Sequence, residues 1–209
     1  MVFTGFPVSA LDFYDDLEVD NTKSYWQKHK ATYDESVKAP MTALCDSLAP
    51  EFGDAKVFRP YRDVRFATDK TPYKTHQGAF VAAGPATGWY VEISARGLRV
   101  GAGFYEASGE RLGRIRDAIA DDKTGPRLQR ILRKLERGGF EITGEKLKTT
   151  PRGYGSDHPR IELLRHKRLI AHRPYGFEGL DSPDVADRVR SDWRALRPLV
   201  EWVARHAGE

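Results

Sequence analysis

Residues 89–104 have the sequence WYVEISARGLRVGAGF, and this stretch decides the fold. Apolar and polar side chains alternate from Trp89 to Ile93, and the alternation resumes from Leu98 to Phe104. A period of two is typical of β-strands that have one buried face. Arg96-Gly97 lies between the two runs and predicts a turn. The stretch therefore predicts an antiparallel β-hairpin with its apolar face against a core.

Further strands are predicted on both sides of this hairpin. Upstream, residues 77–83 indicate a strand that reaches the hairpin through a turn or short loop in the Gly- and Pro-rich residues 84–88. Residues 59–66 alternate in the same way and predict another strand, and residues 169–171 predict an edge strand. Antiparallel sheets of this kind tolerate one solvent-exposed face.

Three helices are predicted before the strands. Ser9 is a candidate N-cap for the first helix, and Asp20–Thr22 offer one for the second. Apolar side chains at helical spacing across residues 37–48 predict a third helix that ends at Pro50. Pro40 lies early in that helix, where it marks either the first turn or a kink.

Helical patterns return after the hairpin. Ser108 is a candidate N-cap, and Pro126 is the expected first residue of a helix whose arginines and lysines form a solvated face. A short helix that starts near Pro159 and carries Ile161, Leu163 and Leu164 follows, and Ser182-Pro183 starts a C-terminal helix with one apolar face. The sequence predicts a single α+β domain over residues 1–209, with an antiparallel sheet packed against N-terminal, intervening and C-terminal helices.

The charge of the chain is unevenly distributed. The formal net charge is +4, but residues 1–55 carry −6. The central segment, residues 56–76, carries +4, and the second segment, residues 146–173, carries +6. Two such segments attract anions if folding brings them together. We expect Arg59, Arg62, Arg65, Lys74 and Arg152 to converge on one concave face; the alternative is that the cations only solvate two exposed surfaces.

The central segment combines cations with aromatic side chains. Arginine binds phosphate or carboxylate through paired hydrogen bonds, and lysine adds a point charge. Candidate ligand-binding residues across the two segments are Arg59, Arg62, Arg65, Lys70, Tyr73, Lys74, Arg152 and Tyr154. Asp63 lies between arginines that hold it ionised, so we expect it to orient Arg62 or Arg65 rather than to donate a proton. A salt-bridged strand network, an anion site and a catalytic site remain three alternatives for this segment.

The second segment adds a glycine-flanked Arg152-Gly153-Tyr154-Gly155 loop, which lets backbone amides approach a ligand. His158 precedes a predicted helix start, so it is a candidate acid–base group, and His76 is a second candidate. With Asp63, these histidines are the only catalytic candidates that the sequence offers. A surface or helix-capping role is the alternative for both histidines.

Several function classes have no support in the sequence. P-loop, Rossmann and zinc-protease motifs are missing, and the six histidines have no metal-ligand spacing, so we expect neither a cofactor nor a metal. The single Cys45 lies on an apolar helix stripe and fits a reducing cytoplasm. No apolar run is long enough to span a bilayer and no secretory signal is present, so we expect a cytoplasmic protein without a membrane partner.

Several motifs resemble those of one family. They are YRDVRF at residues 61–66, DKTPYKT at residues 69–75, PRGY at residues 151–154, and the stretches at residues 21–26 and 33–40. The chain is similar over nearly its entire length to the bacterial and fungal family catalogued as domain of unknown function 2461. The resemblance implies one compact α+β domain and interest in the same basic and aromatic segments, but no particular activity.

Three hypotheses for function follow. The first is a binding module whose partner is a phosphorylated or otherwise anionic small molecule, or a nucleic acid that stacks on aromatic rings. The second is an enzyme that acts on a small anionic substrate, with His158, His76 or Asp63 moving a proton. The third is a protein-interaction or structural role, in which acidic helices and basic surfaces pair within or between chains.

Overall fold

The fold is α+β, as the sequence predicts. A computed structural model describes residues 2–65 and 68–208. Six strands form an antiparallel sheet in the order β1-β2-β3-β4-β6-β5. The strands are β1 (Ala55–Val57), β2 (His76–Gly84), β3 (Thr87–Ser94), β4 (Gly97–Phe104), β5 (Glu141–Thr143) and β6 (Leu169–Gly176).

Helices precede, interrupt and follow these strands. They are α1 (Val8–Val19), α2 (Lys23–Thr32), α3 (Ala39–Phe52), α4 (Gly109–Ala120), α5 (Thr124–Arg137), α6 (Ile161–Leu164) and α7 (Val185–His206). A π-helical stretch, Tyr33–Lys38, joins α2 to α3. Among the described helices, none has both the length and the apolar composition that crossing a bilayer requires.

The predicted hairpin is confirmed as β3 and β4. Trp89, Val91 and Ile93 are buried as expected. Gly97 at the turn has φ = 93°, and a Cβ there would lie 1.9 Å from the carbonyl oxygen of Gly176, so only glycine fits this close approach. Because β6 pairs with both β4 and β5, the prediction that residues 169–171 form an edge strand is wrong. β5 occupies that edge, and its three residues are too few to show a period.

The chain divides into two compact units. The first comprises residues 1–81, 90–100 and 174–191, and the second comprises residues 82–89, 101–173 and 192–209. Strands β2, β3, β4 and β6 each contribute residues to both units. The first unit buries side chains such as Phe13, Trp26 and Leu44, and the second buries Ile115, Ile119, Leu128 and Trp193. That residues 1–209 fold as a single domain stays a prediction.

Some helix ends differ from the sequence prediction. Thr22 and Ser108 cap α2 and α4 as expected. Ser9 does not cap α1, because α1 begins at Val8 and Ser9 is its second residue. The Ser9 hydroxyl donates to Ser36 instead. The sequence predicts that α5 starts at Pro126 and that α3 ends at Pro50. In the structure, α5 begins two residues before Pro126, and α3 continues two residues past Pro50.

The strand predicted at residues 59–66 does not form as a regular strand. β1 ends at Val57, and within the described residues 58–65 the one bridge joins Tyr61 to Tyr73. Pro60 and Pro72 flank this bridge and supply no amide hydrogens, so the ladder cannot continue. Phe66, which closes the predicted strand, lies outside the described residues.

Candidate functional site

The central segment folds back on itself and stays attached to β2. The Arg62 amide donates to the Pro72 carbonyl over 2.9 Å, and the Lys74 amide donates to the Pro60 carbonyl over 2.8 Å. The Phe58 amide donates to Gly78 in β2 over 2.9 Å. These three bonds hold residues 58–62 beside residues 72–78, so side chains from both arms of the segment lie close together.

Asn21 and Trp26 fix the return arm of the segment. The Asn21 side-chain amide donates to the Tyr73 carbonyl over 3.0 Å and accepts from the Tyr73 amide over 3.1 Å, as a neighbouring strand would do. The Tyr73 ring stacks on Trp26 with 4.3 Å between centroids and 7° between planes. Tyr73, a predicted ligand contact, is buried at 5% exposure and packs in the core of the first unit.

A polar cluster forms on β2, β3 and β4 within the first unit, and we name it the Glu92 cluster. Arg99 Nη2 lies 2.8 Å from Glu92 Oε1, and the Tyr90 hydroxyl donates to Glu92 Oε2 over 2.6 Å. His76 Nε2 lies 4.0 Å from the same Oε2. The Glu92 side chain is only 12% exposed, so its charge depends on these partners.

Local sequence positions each member of the Glu92 cluster. The two-residue turn between β3 and β4 places Glu92 directly opposite Arg99, the arrangement in which cross-strand ion pairs form. Gly78 leaves room for Tyr90, because a Cβ on Gly78 would lie 2.5 Å from the Tyr90 hydroxyl oxygen. A larger residue at position 78 would therefore displace the hydroxyl that binds Glu92.

Arg59 and Lys74, two neighbouring cations of the central segment, form no ion pair in the part of the chain that the structure describes, although the charge of Arg59 acts on the exposed Asp63. No hydrogen bond or ion pair joins the side chain of Arg59 or Lys74 to a described residue. The Lys74 ammonium lies 5.4 Å from the ring centroid of Phe58, and that ring lies 6.5 Å from the Tyr90 ring. Burial lowers the pKa of Lys74, and the nearby positive charge of Arg59 lowers it further.

His76 is held in its neutral form by the same surroundings. Burial lowers the pKa of His76, and although Glu92 favours the charged imidazolium, the positive charges of Lys74, Arg99 and Arg62 oppose it. The side chain is 38% exposed, so a ligand can reach the ring from solvent. A neutral, accessible imidazole among cations can accept a proton when an anion arrives.

The other predicted side chains of the central segment pair within it. Arg62 bonds to Asp69 and to the Thr71 hydroxyl. Asp63 accepts from Arg65 through both oxygens, at 2.9 and 2.6 Å. The Arg65 guanidinium holds the pKa of Asp63 below its usual range.

Asp69 organises the turn that follows. It accepts from the Thr71 amide and hydroxyl at 2.9 and 2.8 Å, and these bonds, with Arg62, hold its pKa at about 2. Lys70 donates to the Val64 carbonyl over 3.0 Å. Asp63 thus contacts one of the two arginines that the sequence predicts it to orient, and Asp69 contacts the other.

The family model of a conserved hypothetical protein, DUF2461, matches residues 9–202. The chain belongs to the DUF2461 family. Comparison with curated proteins gives no match. Motif residues of the first unit meet in the structure of this DUF2461 protein, where Asn21 and Trp26 contact Tyr73 and Tyr61 forms a bridge with the same residue.

The second segment of this DUF2461 protein uses its cations differently. Arg160 is 6% exposed and donates to the carbonyls of Ile119 and Ala120 at the end of α4, each over 2.6 Å. Its guanidinium also lies 2.8 Å from Asp122. Arg160 therefore caps a helix C-terminus, where a positive charge is stabilising.

The predicted site residues of the second segment do not form a comparable cluster. The Tyr154 hydroxyl donates to Asp117 over 2.8 Å, and burial with this bond raises the Tyr154 pKa to about 12. His158 accepts from the Arg160 amide through Nδ1, which is a local turn contact. Arg152 is exposed and makes no hydrogen bond or ion pair with any described residue. It lies in the second unit and Arg62 in the first, so their convergence on one face stays a prediction.

Glu92, Tyr90 and Arg99 are the members of the Glu92 cluster that sequence reasoning missed as site residues. The signal is present, because Glu92 and Arg99 both fall on the polar face of the predicted hairpin and are equidistant from its turn. Cys45 is buried, as expected, and burial raises the pKa of its thiol to about 12. Within residues 2–65 and 68–208, no group of three His, Cys, Asp or Glu side chains is arranged to hold a metal ion.

Proposed function

We propose that this protein binds a small anionic ligand, phosphorylated or carboxylated, over the Glu92 cluster and the arms of the central segment. Arg59 and Lys74 supply the charge that attracts the ligand. His76 supplies a ring nitrogen beside them. All of these side chains belong to the first unit.

The observation that carries this proposal is the half-buried Lys74 without an acidic partner among the described residues. A cation withdrawn from water loses solvation that a carboxylate normally replaces. Glu92 does not replace it, because its two oxygens are engaged by Arg99 and Tyr90. The positive charge of Arg59 adds repulsion, which is why the pKa of Lys74 is lowered further. An anion bound between the two side chains would remove both costs.

The cluster is also organised in a way that suits a binding site. Arg99, Tyr90 and Glu92 hold one another, so the floor beneath the ligand is fixed before binding and little ordering entropy is lost. The backbone of the two arms is pinned by bonds to β2 and to Asn21. Arg59 can then close over the ligand, because its side chain is exposed and makes no hydrogen bond to the described chain.

Titration calorimetry at low salt tests the proposal, with inorganic phosphate, pyrophosphate and citrate as probes. The double variant Arg59→Gln/Lys74→Gln should weaken binding of the best probe at least about tenfold, because it removes two charge-assisted bonds. The control Lys23→Gln/Lys28→Gln removes the same net charge from exposed positions of α2 and should bind normally. Equal loss in both variants, or no binding of any probe to the unaltered protein, would overturn the proposal.

A second candidate function is favoured by the pairing of His76 with Glu92. Here the protein is an enzyme on a small anionic substrate, with neutral His76 as the base and Glu92 orienting its ring. Arg59 and Lys74 would hold the substrate. Assaying a panel of phosphate esters and carboxylates for turnover tests this candidate function, with His76→Gln as the decisive variant. Loss of turnover with retained substrate binding supports catalysis by His76. If His76→Gln retains both turnover and binding, His76 is not the base.

A further inference from the structure

Helix α5 has a strongly basic face that the Glu92 cluster does not use. Its five cations are Arg127, Arg130, Arg133, Lys134 and Arg137. All five are exposed, in agreement with the solvated face that the sequence predicts. They lie in the second unit, whereas the Glu92 cluster lies in the first. We call these five side chains the α5 face.

The α5 face has no ion-pair partner among the described residues, unlike several other arginines of the second unit. Arg160, Arg165 and Arg173 pair with Asp122, Glu162 and Asp192. Across the described residues, no side chain of the α5 face forms an ion pair. One hydrogen bond is made, from Arg137 Nε to the Arg133 carbonyl over 3.3 Å. The second unit therefore carries one surface where positive charge is concentrated and not neutralised.

The charge along α5 is almost entirely positive. Glu136 is the only acid within the turns that carry the α5 face. Residues 127–137 rise by about 15 Å along the helix axis. A polyanion of regular charge spacing is the partner that such a stripe fits.

We propose that the α5 face binds the phosphate backbone of double-stranded nucleic acid without reading its sequence. A duplex carries one charge per about 1.7 Å, or roughly nine charges over the length of this stripe, and releases counterions when cations replace them. Four of the five cations are arginines, whose forked donors match phosphate oxygens. Single-stranded binding would use stacked aromatic rings, and α5 has no aromatic residue.

A lipid surface fits the α5 face less well than a duplex does. Amphipathic helices at membranes place large apolar side chains next to their cations. The exposed large apolar residues of the described chain are Val2, Val8, Val19, Tyr61, Tyr105 and Phe177. None lies on α5, where Leu128, Leu132 and Leu135 are buried in the second unit and Ile131 is half-buried. Phosphate contacts alone, without insertion, are what this surface offers.

Fluorescence anisotropy with a 20-base-pair duplex of mixed sequence, measured from low to physiological salt, tests the proposal. The unaltered full chain should bind with a salt slope of about −4.5 if five phosphates are contacted. Arg130→Gln/Arg133→Gln/Arg137→Gln should weaken binding at least about tenfold at low salt and reduce the slope by about 2.7. Glutamine is a good helix former, so the helix should remain intact, as circular dichroism can verify. Arg127→Gln/Lys134→Gln provides a second, independent variant.

Control variants distinguish the α5 face from the basic surfaces of the first unit. Lys23→Gln/Lys28→Gln/Lys56→Gln removes the same charge from exposed lysines of the first unit and should leave duplex binding intact. Arg59→Gln/Lys74→Gln should also leave it intact, so failure of the small-anion proposal and failure of this one are distinguishable. The proposal is overturned if the duplex does not bind, or if the two triple variants lose duplex binding equally. It is also overturned if the protein binds anionic vesicles and not the duplex, or if Arg130→Gln/Arg133→Gln/Arg137→Gln abolishes self-association rather than duplex binding.

Discussion

The central and second segments are both rich in arginine and lysine, yet the structure uses their cations in different ways. In the second segment, Arg160 caps α4, and Arg165 and Lys167 bond to Glu162 and Glu145. In the central segment, only Arg62 and Arg65 have acidic partners among the described residues. Arg59 and Lys74 form no ion pair there, and they are close enough for the charge of Arg59 to lower the pKa of Lys74. Arg152 of the second segment also has no partner among the described residues. The number of basic residues alone therefore does not indicate a candidate site, whereas neighbouring cations without internal acceptors do.

The difference follows from where acceptors occur in the fold. Helix C-termini leave carbonyls unpaired, and α4 ends beside the second segment, so Arg160 finds acceptors without a carboxylate. The described part of the central segment, residues 56–65 and 68–76, contains no helix end, and the largely buried Glu92 already binds Arg99 and Tyr90. Cations there remain available to a ligand. Variants that remove one kind of cation at a time test this contrast.

Removing a cation from each segment should give opposite results. Arg160→Gln should lower the free energy of unfolding by about 2–4 kcal/mol, because two buried carbonyls lose a charged donor. Arg59→Gln should change it by less than about 0.5 kcal/mol, because exposed side chains without partners contribute little. Urea denaturation of the two variants in parallel measures both values.

Anion titration completes the comparison between these two variants. Arg160→Gln, studied under conditions in which it is folded, should bind phosphate with the affinity of the unaltered protein. Arg59→Gln should bind phosphate more weakly. If Arg59→Gln instead destabilises the protein as much as Arg160→Gln, the contrast between structural and available cations is wrong. Gly125→Ala should also lower stability, because its Cβ would lie 2.1 Å from the Ile119 carbonyl oxygen and 2.5 Å from Arg160 Nε, the two atoms of one of the bonds that Arg160 makes.

Asn21 tests whether the central segment must be held in place. Asn21→Ala removes both bonds to the Tyr73 backbone and should cost about 1–2 kcal/mol of unfolding free energy. The arm carrying Lys74 then loses its anchor, so anion affinity should fall as well. Asn21→Asp keeps the acceptor and loses the donor, so its free energy of unfolding and its anion affinity should lie between those of Asn21→Ala and the unaltered protein. Unchanged affinity in Asn21→Ala would show that the Glu92 cluster alone positions Lys74.

The pH dependence of anion binding should report His76. Its pKa is lowered in the unliganded protein, mainly by burial, so binding an anion should raise it and cause proton uptake. Affinity for sulfate, whose charge is constant in this range, should increase as pH falls from about 8 to about 6. In His76→Gln the profile should be flat. Calorimetry in buffers of different ionisation enthalpy would count the proton directly.

Without ligand, the free energy of unfolding should decrease as pH falls, whereas anion affinity should increase. A histidine whose pKa is lower folded than unfolded binds protons more readily in the unfolded state. Burial lowers the pKa of His166 as well as that of His76. The free energy of unfolding should therefore fall as pH drops through about 6.5, and sulfate should offset part of the loss. A rise in stability over this window would contradict the sign.

Sequence patterns predict the fold of this chain better than its site. Alternation reveals β3 and β4, and helix caps reveal α2 and α4, because each depends on neighbouring residues alone. The Glu92–Arg99 pair follows from the same hairpin register. By contrast, the helix-capping role of Arg160 depends on α4, about 40 residues away in sequence, and the burial of Tyr73 depends on Asn21 and Trp26. Composition cannot distinguish an arginine that caps a helix C-terminus from one that has no internal acceptor.

Asp63 provides the smallest expected effect and the sharpest test of the electrostatic argument. The sequence suggests that Asp63→Asn weakens both stability and anion affinity, because the sequence predicts that Asp63 orients the arginines. In the structure, Asp63 and Arg65 are 49% and 76% exposed, and pairs this exposed contribute little to stability. Arg62, whose charge acts on His76, is held by Asp69 instead.

Asp63→Asn should therefore leave the melting temperature nearly unchanged. Because the charges of Arg59 and Asp63 interact, removing the carboxylate should slightly strengthen anion binding rather than weaken it. Asp69→Asn is the matched control: it loses the acceptor of Thr71 and Arg62, so it should lower both the melting temperature and the affinity. Weaker binding in Asp63→Asn with an unchanged melting temperature would mean that Arg65, positioned by Asp63, contacts the ligand directly, and the available cations would then include Arg65 beside Arg59 and Lys74.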